Sequence, residues 1–220
     1  MSLLHPEAEG FVLAGGRSSR MERDKALVEL AGRSLIERAL GILRNAGIDA
    51  RIAGARSELS VFAPVILDLP GDSGQGPLAG ICAALSACRT RYAVFLPVDL
   101  PLIPASLIEY LEQHVVVTGA AVTVVSVAGF IQTFPAIIDR AASGLLRQSL
   151  DSGNRNCLKA LQSAGVGLPG GFSALQIELL VQPGQVSHPR GLHASQWFLN
   201  VNSPADLLQL NELAKRVGLR

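Results

Sequence analysis

Residues with chemical potential collect at the ends of apolar runs. The stretch LAGGRSSRMERDKAL (13–27) follows the run FVLA and gathers Gly15, Gly16, Arg17, Arg20, Arg23 and Lys25 in a chain whose net charge is only +1. Adjacent glycines let backbone N–H groups approach an anion closely. Arg20 offers a planar fork of donors and Lys25 a mobile point charge. A nucleoside triphosphate, dense in charge, suits that set. The spacing is neither a Walker A loop nor a GxGxxG fingerprint, and a surface turn with solvated charges is the competing reading.

Asp99 ends the apolar run of FLPVDLPLIP, where an unpaired carboxylate is expensive to bury. It suits a hard divalent cation such as Mg2+, which is often held by one or two carboxylates together with substrate phosphates. The alternative is a cap for the following turn. In NVN, Asn200 and Asn202 would share one face of a strand and could hold a metal or a polar ligand, or simply stabilise a turn. Asp68 closes PVILD and could accept hydrogen bonds from a base or ribose, whereas Asp72 in GDSGQG reads as a turn residue. Gly76, Pro77 and Gly80 define a tight entry to a helix whose N-terminus can approach a ligand.

Such residues need a frame. FVLA, DARIAGA, PVILD and YAVFLPVD read as buried strands. GRSLIERALGILRNAG, with Ile36, Ala39, Leu40 and Leu43 on one face, reads as a helix, as do GPLAGICAALSACR and PASLIEYLEQH. Alternating apolar strands and amphipathic helices predict an α/β fold, a mostly parallel central sheet with helices on both faces. Ligands of such sheets bind beyond the carboxyl ends of the strands. The uncharged stretch 115–138 is long enough to span a bilayer, but its Val and Thr content, Gly119, Gly129 and Pro135 predict two strands and a turn. LQIELLVQ and WFLNVN read as further strands. Helices are expected around 141–152 and 155–164, and a last one capped by Ser203 with Pro204 at its first position.

The 220 residues, 49% hydrophobic, suffice for one core. We read a single domain, with a nucleotide-binding half at about 8–118 and an acceptor-binding half at about 119–220. The near-neutral charge argues against nucleic-acid binding through a broad basic surface. Three cysteines without zinc-type pairing, and no signal-peptide pattern, predict reduced thiols in a cytoplasmic protein. His188 and His193 read as loop residues rather than metal ligands.

Taken in order, LAGGRSSRMERDKAL, GPLAGI (76–81), PVDLPLIP (97–104) and FLNVNSPADL (198–207) closely resemble the molybdenum cofactor guanylyltransferase-like family of nucleotidyltransferases. The resemblance implies a Rossmann-like nucleotidyltransferase fold, with transfer of GMP from GTP to the terminal phosphate of molybdopterin, Mg2+ as cofactor, and pyrophosphate as product. A molybdoenzyme or insertion chaperone would be a partner; no nucleic acid and no membrane are implied. Carried onto this sequence, Leu13, Ala14, Gly15 and Gly16 would contact the nucleotide. Lys25 and Arg20 would bind its phosphates, Asp68 its nucleoside, and Asp99 both nucleotide and magnesium. Lys25, Asp99 and Arg20 would thus be the catalytic set. Asn202 would be a second metal or acceptor contact, and Asn200 an acceptor contact on the pterin side. A polar position common near RIAGA is here Ala53 and Gly54, leaving only backbone. Glu22 stands where the family usually has glycine, and the segment 165–196 is longer than in a minimal member. Transfer of CMP, or transfer to another phosphate, is the alternative within the class; LAGG resembles the guanylyl type and LAAG the cytidylyl type. A nucleotide-binding accessory protein without turnover is the alternative outside it.

Overall fold

The computed structural model describes residues 7–14, 24–54 and 57–219. The run AEGFVL forms β1 (Ala8–Leu13), buried along its whole length as a central parallel strand must be. A 3-10 turn at Lys25–Leu27 leads to a short hairpin, β2 (Glu29–Leu30) and β3 (Arg33–Ser34). Its turn residues Ala31 and Gly32 both have positive φ, at +48° and +75°, the geometry that matches the twist of a two-residue hairpin. Ser34 then caps α1 (Leu35–Asn45) in a reciprocal box with Glu37.

The chain continues through β4 (Ala50–Ala53), β5 (Val65–Ile66), α2 (Pro77–Ala87), β6 (Tyr92–Pro97) and α3 (Ala105–Thr118). The second half contains β7 (Val122–Val127), β8 (Phe130–Asp139), α4 (Ser143–Asp151) and α5 (Cys157–Val166). It closes with β9 (Phe172–Gln176), α6 (Ile177–Val181), α7 (Ala194–Trp197) and α8 (Pro204–Arg216).

Seven strands form one sheet in the order β5-β4-β1-β6-β8-β7-β9. Every pairing is parallel except the two made by β8, which runs against β6 and β7. The uncharged segment 115–138 is therefore the end of α3 followed by the β7–β8 hairpin up to Ile138. Among the described residues no helix is long and apolar enough to cross a membrane. The sheet separates two cores: α1, α3, α8 and Trp197 pack on one face, and α2, α4 and α5 on the other. Helix α2 is buried on every side from Leu78 to Leu85, because the sheet lies beneath it and α4 beside it.

The strand order reverses at β1. The chain steps outward from β1 to β4 and β5, then crosses back through α2 to β6 on the other side of β1. A crevice opens at such a switch point, beyond the carboxyl ends of β1 and β6. Both ends are joined by backbone there, with the Val98 N–H donating to Leu13 O at 3.2 Å.

Two expected strands fold differently. In LQIELLVQ only Leu175 and Gln176 complete a strand; Ile177 and Leu180, three apart, are buried on one face of α6. The segment 198–203 is not a strand. Its apolar residues pack singly, and one backbone bond, Val201 N–H to Asp99 O at 3.1 Å, ties it to the crevice.

Candidate active site

Lys25, Asp99 and Asn202 meet at the switch point. Lys25 Nζ donates to Asp99 Oδ2 at 2.9 Å and to Asn202 Oδ1 at 2.7 Å. The Lys25 and Asp99 side chains keep 17% and 26% of their surface exposed, so the cluster faces solvent without being fully hydrated. The three residues are 74 and 177 positions apart, and each is brought there by its own local structure.

Lys25 opens the 3-10 turn, whose N–H at Ala26 is accepted by the Asp24 carboxylate at 3.0 Å. That turn is braced by the β2–β3 hairpin. Arg38 of α1, almost wholly buried, donates from Nε to Leu30 O at 2.8 Å, and Ala31 N–H donates to Asn211 Oδ1 of α8 at 3.1 Å. Burial pulls the Arg38 guanidinium below its ordinary value, as expected for a cation whose partners are carbonyls. Asp99 follows the last residues of β6. Asn202 is set by the cap of α8: Asp206 Oδ2 accepts from Asn202 N–H at 2.9 Å and Ser203 N–H at 2.8 Å, and Ser203 Oγ accepts from Asp206 N–H. These bonds, the Asn202 N–H first, hold the Asp206 carboxyl below its ordinary value. One helix cap therefore orients a site residue.

Leu13 and Ala14, at the carboxyl end of β1, are buried. Ala14 N–H donates to Ala53 O at 3.1 Å and Gly54 N–H to Ile66 O at 3.0 Å, so these backbone groups near RIAGA are already engaged in the sheet. Asp68 lies on the α2 side. Its Oδ1 is buried with no hydrogen-bond partner among the described residues, and a Cβ placed on Gly80 would sit 3.8 Å from it and 3.5 Å from Leu13. Burial, and then the negative charge of Asp72, push the Asp68 carboxyl above its ordinary value. Gly76, with φ at +82°, makes the turn that admits Pro77 as the first residue of α2.

The remaining expectations divide. Gly15, Gly16 and Arg20 lie outside the described residues, as do Arg17, Glu22 and Arg23. Asn200 is exposed beside the cluster in sequence, but it does not share a strand face with Asn202, because 198–203 is a loop. Asp72 is more than a turn residue: it is buried, and Arg147 of α4 binds both its oxygens. Nothing in the local sequence around Arg147 marks it. His193 caps α7, and His188 packs against Trp197 with ring centroids 6.3 Å apart. Cys82 and Cys157 are free and buried, with thiols pushed up to about 11 and about 12 by that burial. The segment 165–196 supplies the edge strand β9, and Ser106 Oγ of α3 donates to Ser187 O at 2.7 Å, anchoring its later part.

Among the described residues no group of three or more His, Cys, Asp or Glu side chains could hold a metal. The donor set still fits one kind of ion. Asp99 Oδ2 and Asn202 Oδ1 already converge on one cationic centre, the Lys25 ammonium. Two hard oxygen donors are what magnesium accepts when water and phosphate complete its shell.

Residues 10–165 match the family described as MobA-like NTP transferase domain. The chain belongs to that family. A protein of Pseudomonas putida named molybdenum cofactor guanylyltransferase is 34% identical over 160 residues, covering 71% of this chain and 83% of that protein. The fold is shared with molybdopterin-guanine dinucleotide biosynthesis protein A from Archaeoglobus fulgidus, at TM-score 0.74 and 22% identity over 94% of this chain and 99% of that one. A Mycobacterium tuberculosis protein crystallised in complex with manganese shares it more distantly, at TM-score 0.59 and 18% identity over 94% of this chain and 98% of that one. As a MobA-like NTP transferase, this protein is a nucleotidyltransferase.

Proposed function

We propose that the protein transfers GMP from GTP to the terminal phosphate of molybdopterin and releases pyrophosphate. The observation that carries the reading is the Lys25–Asp99–Asn202 cluster at the switch point of the sheet. The relatives named for that activity support it, the P. putida protein covering most of the chain.

In this reading Leu13, Ala14, Gly15 and Gly16 line the nucleotide with backbone, and Asp68 accepts hydrogen bonds from the nucleoside. Lys25 exchanges its carboxylate and amide partners for phosphate oxygens, and Arg20 joins it there. Asp99 and Asn202 are thereby freed to hold Mg2+, and Asn200 lies on the acceptor side. The bound ion supplies neutralisation of the charge that grows on the departing pyrophosphate. An anionic oxygen of the acceptor phosphate attacks the α-phosphorus of GTP. The bond from that phosphorus to the bridging oxygen breaks, and its electron pair leaves with pyrophosphate. The attacking oxygen carries no proton, so no side chain has to act as a base. What the protein contributes is alignment of two anions and fixed positive charge.

The test is pyrophosphate release by the purified protein with molybdopterin and Mg2+, comparing GTP with CTP. GTP-dependent release is expected. A clear preference for CTP would overturn the choice of base. Magnesium-dependent GTP binding without turnover on molybdopterin or other phosphorylated acceptors would make the protein a binding module instead.

A further inference from the structure

The loop 67–76 carries Asp68 and leads into α2, yet it has little apolar anchorage of its own. Leu67 and Leu69 are exposed, and Gly71, Gly74 and Gly76 all have positive φ. Its shape is set by Asp72. Asp72 N–H donates to Leu69 O at 2.9 Å, Gln75 N–H donates to Asp72 O at 3.0 Å, and Gln75 Nε2 donates to Gly71 O at 2.7 Å. The Asp72 carboxylate is 6% exposed, and both its oxygens are held by the Arg147 guanidinium, Nη2 to Oδ1 at 3.1 Å and Nη1 to Oδ2 more closely. Asp151, one turn further along α4, receives the same guanidinium and fixes its rotamer. Arg155 reaches the loop from beyond α4 and donates to Gln75 Oε1.

We infer that Arg147 is a positioning residue for nucleotide binding, acting through Asp72 on the loop that carries Asp68. The inference rests on the nucleoside role proposed for Asp68. A bidentate fork fixes both the place and the plane of the carboxylate it holds. Without it, Asp72 would be a buried charge with no counter-ion, and the low-energy response is to turn out to water. Residues 69–75 turn with it, because their internal bonds close on Asp72, and Asp68 stands next to them. Arg147 touches neither substrate nor reacting atoms. It comes from the half of the chain after residue 119, so the second half sets the grip of the first on its nucleotide.

The test measures GTP affinity by calorimetry, together with KM and kcat, for Arg147→Ala, Arg147→Lys, Asp72→Asn and the double variant Arg147→Ala/Asp72→Asn. Arg147→Ala should weaken GTP binding and raise KM about tenfold, with kcat at saturating GTP within about twofold of the parent. Arg147→Lys, a point charge in place of a fork, should recover about threefold of that loss. Asp72→Asn should repeat the loss, and the double variant should be no worse than the poorer single one. Unchanged GTP affinity in Arg147→Ala, or additive losses in the double variant, would overturn the inference. A purely structural role would lower the melting temperature and the active fraction while leaving KM alone. Should Arg147→Ala fail to fold, Arg147→Lys and Asp72→Asn carry the measurement. Because calorimetry reads GTP binding without turnover, an enzyme inactive on molybdopterin would refute the proposed reaction and leave this result standing. If Asp68→Asn left GTP affinity unchanged while Arg147→Ala weakened it, the nucleoside role of Asp68 would be the part that failed.

Discussion

Glu9 and Asp68 are carboxylates packed against opposite edges of one sheet, and their surroundings treat them in opposite ways. Glu9, in β1 near the amino edge, is 5% exposed, and both its oxygens are bonded. Arg51 Nη2 lies 2.7 Å from Oε2, Arg89 N–H donates to the same oxygen at 3.1 Å, and Arg89 Nη2 donates to Oε1 at 3.1 Å. Burial pushes its carboxyl up, but the Arg89 N–H and the two guanidinium groups outweigh that and hold it below its ordinary value. Asp68 at the carboxyl edge keeps a buried oxygen with no partner among the described residues, and its carboxyl is pushed up. A folded chain satisfies most of its buried polar groups. Among the described residues Arg51 Nε and Thr123 Oγ1 are buried without a partner as well, but Asp68 Oδ1 is the one carboxylate oxygen in that state. An orphan at the edge beyond which ligands of open α/β sheets bind is a gap in the hydrogen-bond pattern that a ligand can fill.

The two edges should therefore fail differently when broken, and the largest effect belongs to the carboxyl edge. Asp99→Ala removes the carboxylate proposed for the metal and should lower turnover by about 10³-fold or more. Lys25→Ala should lower it by about 10²-fold, because a neutralising charge is lost while the metal donors stay. Both variants should melt close to the parent, since the Lys25–Asp99 pair is partly exposed and such pairs contribute little. Pyrophosphate release and thermal denaturation on the same preparations check this. Near-normal release by Asp99→Ala would sink the site assignment, and a large drop in melting temperature would erase the contrast with the amino edge.

At the amino edge the signs reverse. Glu9→Gln leaves Arg51, itself largely buried, without its counter-charge and should destabilise the fold by about 3 kcal/mol, with GTP affinity of the folded fraction unchanged. The pH dependence follows from the lowered carboxyl. Its contribution is fully present above the unfolded value near 4.5 and is lost as pH falls through the lower folded value. Urea denaturation from pH 7 to pH 3 should show the parent converging on Glu9→Gln at the acid end. A constant gap between the two curves would mean that the ion pair is not what holds this edge.

The carboxyl-edge side of this contrast was legible in the sequence; Glu9 read as part of a polar lead-in, whereas it is buried inside β1. Asp99 was visible because an acid closing YAVFLPVD has no packing explanation, and Lys25 because it ends a basic run after a Gly-Gly turn. The alternation of apolar runs and helices gave the mainly parallel sheet. Arg147 was invisible because it sits on an ordinary amphipathic helix 75 residues from Asp72, and its partner follows only from the packing of α4 beside α2. Asn202, which the structure brings to Lys25, was singled out by a route the structure does not follow. Alternation in NVN suggested a strand, whereas the cap of α8 and one bond from Val201 N–H place it. In LQIELLVQ a period of two gives way to a period of three after Gln176, and a run of eight residues is too short to separate them.

The smallest expected effect probes the comparison most directly, because it should carry two signs in one variant. Asp68→Asn removes a charge that folding disfavours, so at pH 7 it should stabilise the protein by about 1 kcal/mol, or roughly 2–4 °C in melting temperature for a chain of this size. The folded carboxyl lies above the unfolded value near 3.8, so the ionised group opposes folding at neutral pH. That opposition is absent below the unfolded value, grows between the two values, and is complete above the folded one. The gain from Asp68→Asn should accordingly fade on acidification, opposite to the behaviour of the pair at Glu9. The same variant should weaken GTP binding about tenfold, since a neutral amide accepts the nucleoside's hydrogen bonds less strongly than a carboxylate. Thermal denaturation across pH and calorimetry with GTP read the two halves separately. A variant neither more stable nor weaker in GTP binding would show that Asp68 is ordinary packing, and the difference between the two edges would lose its functional meaning.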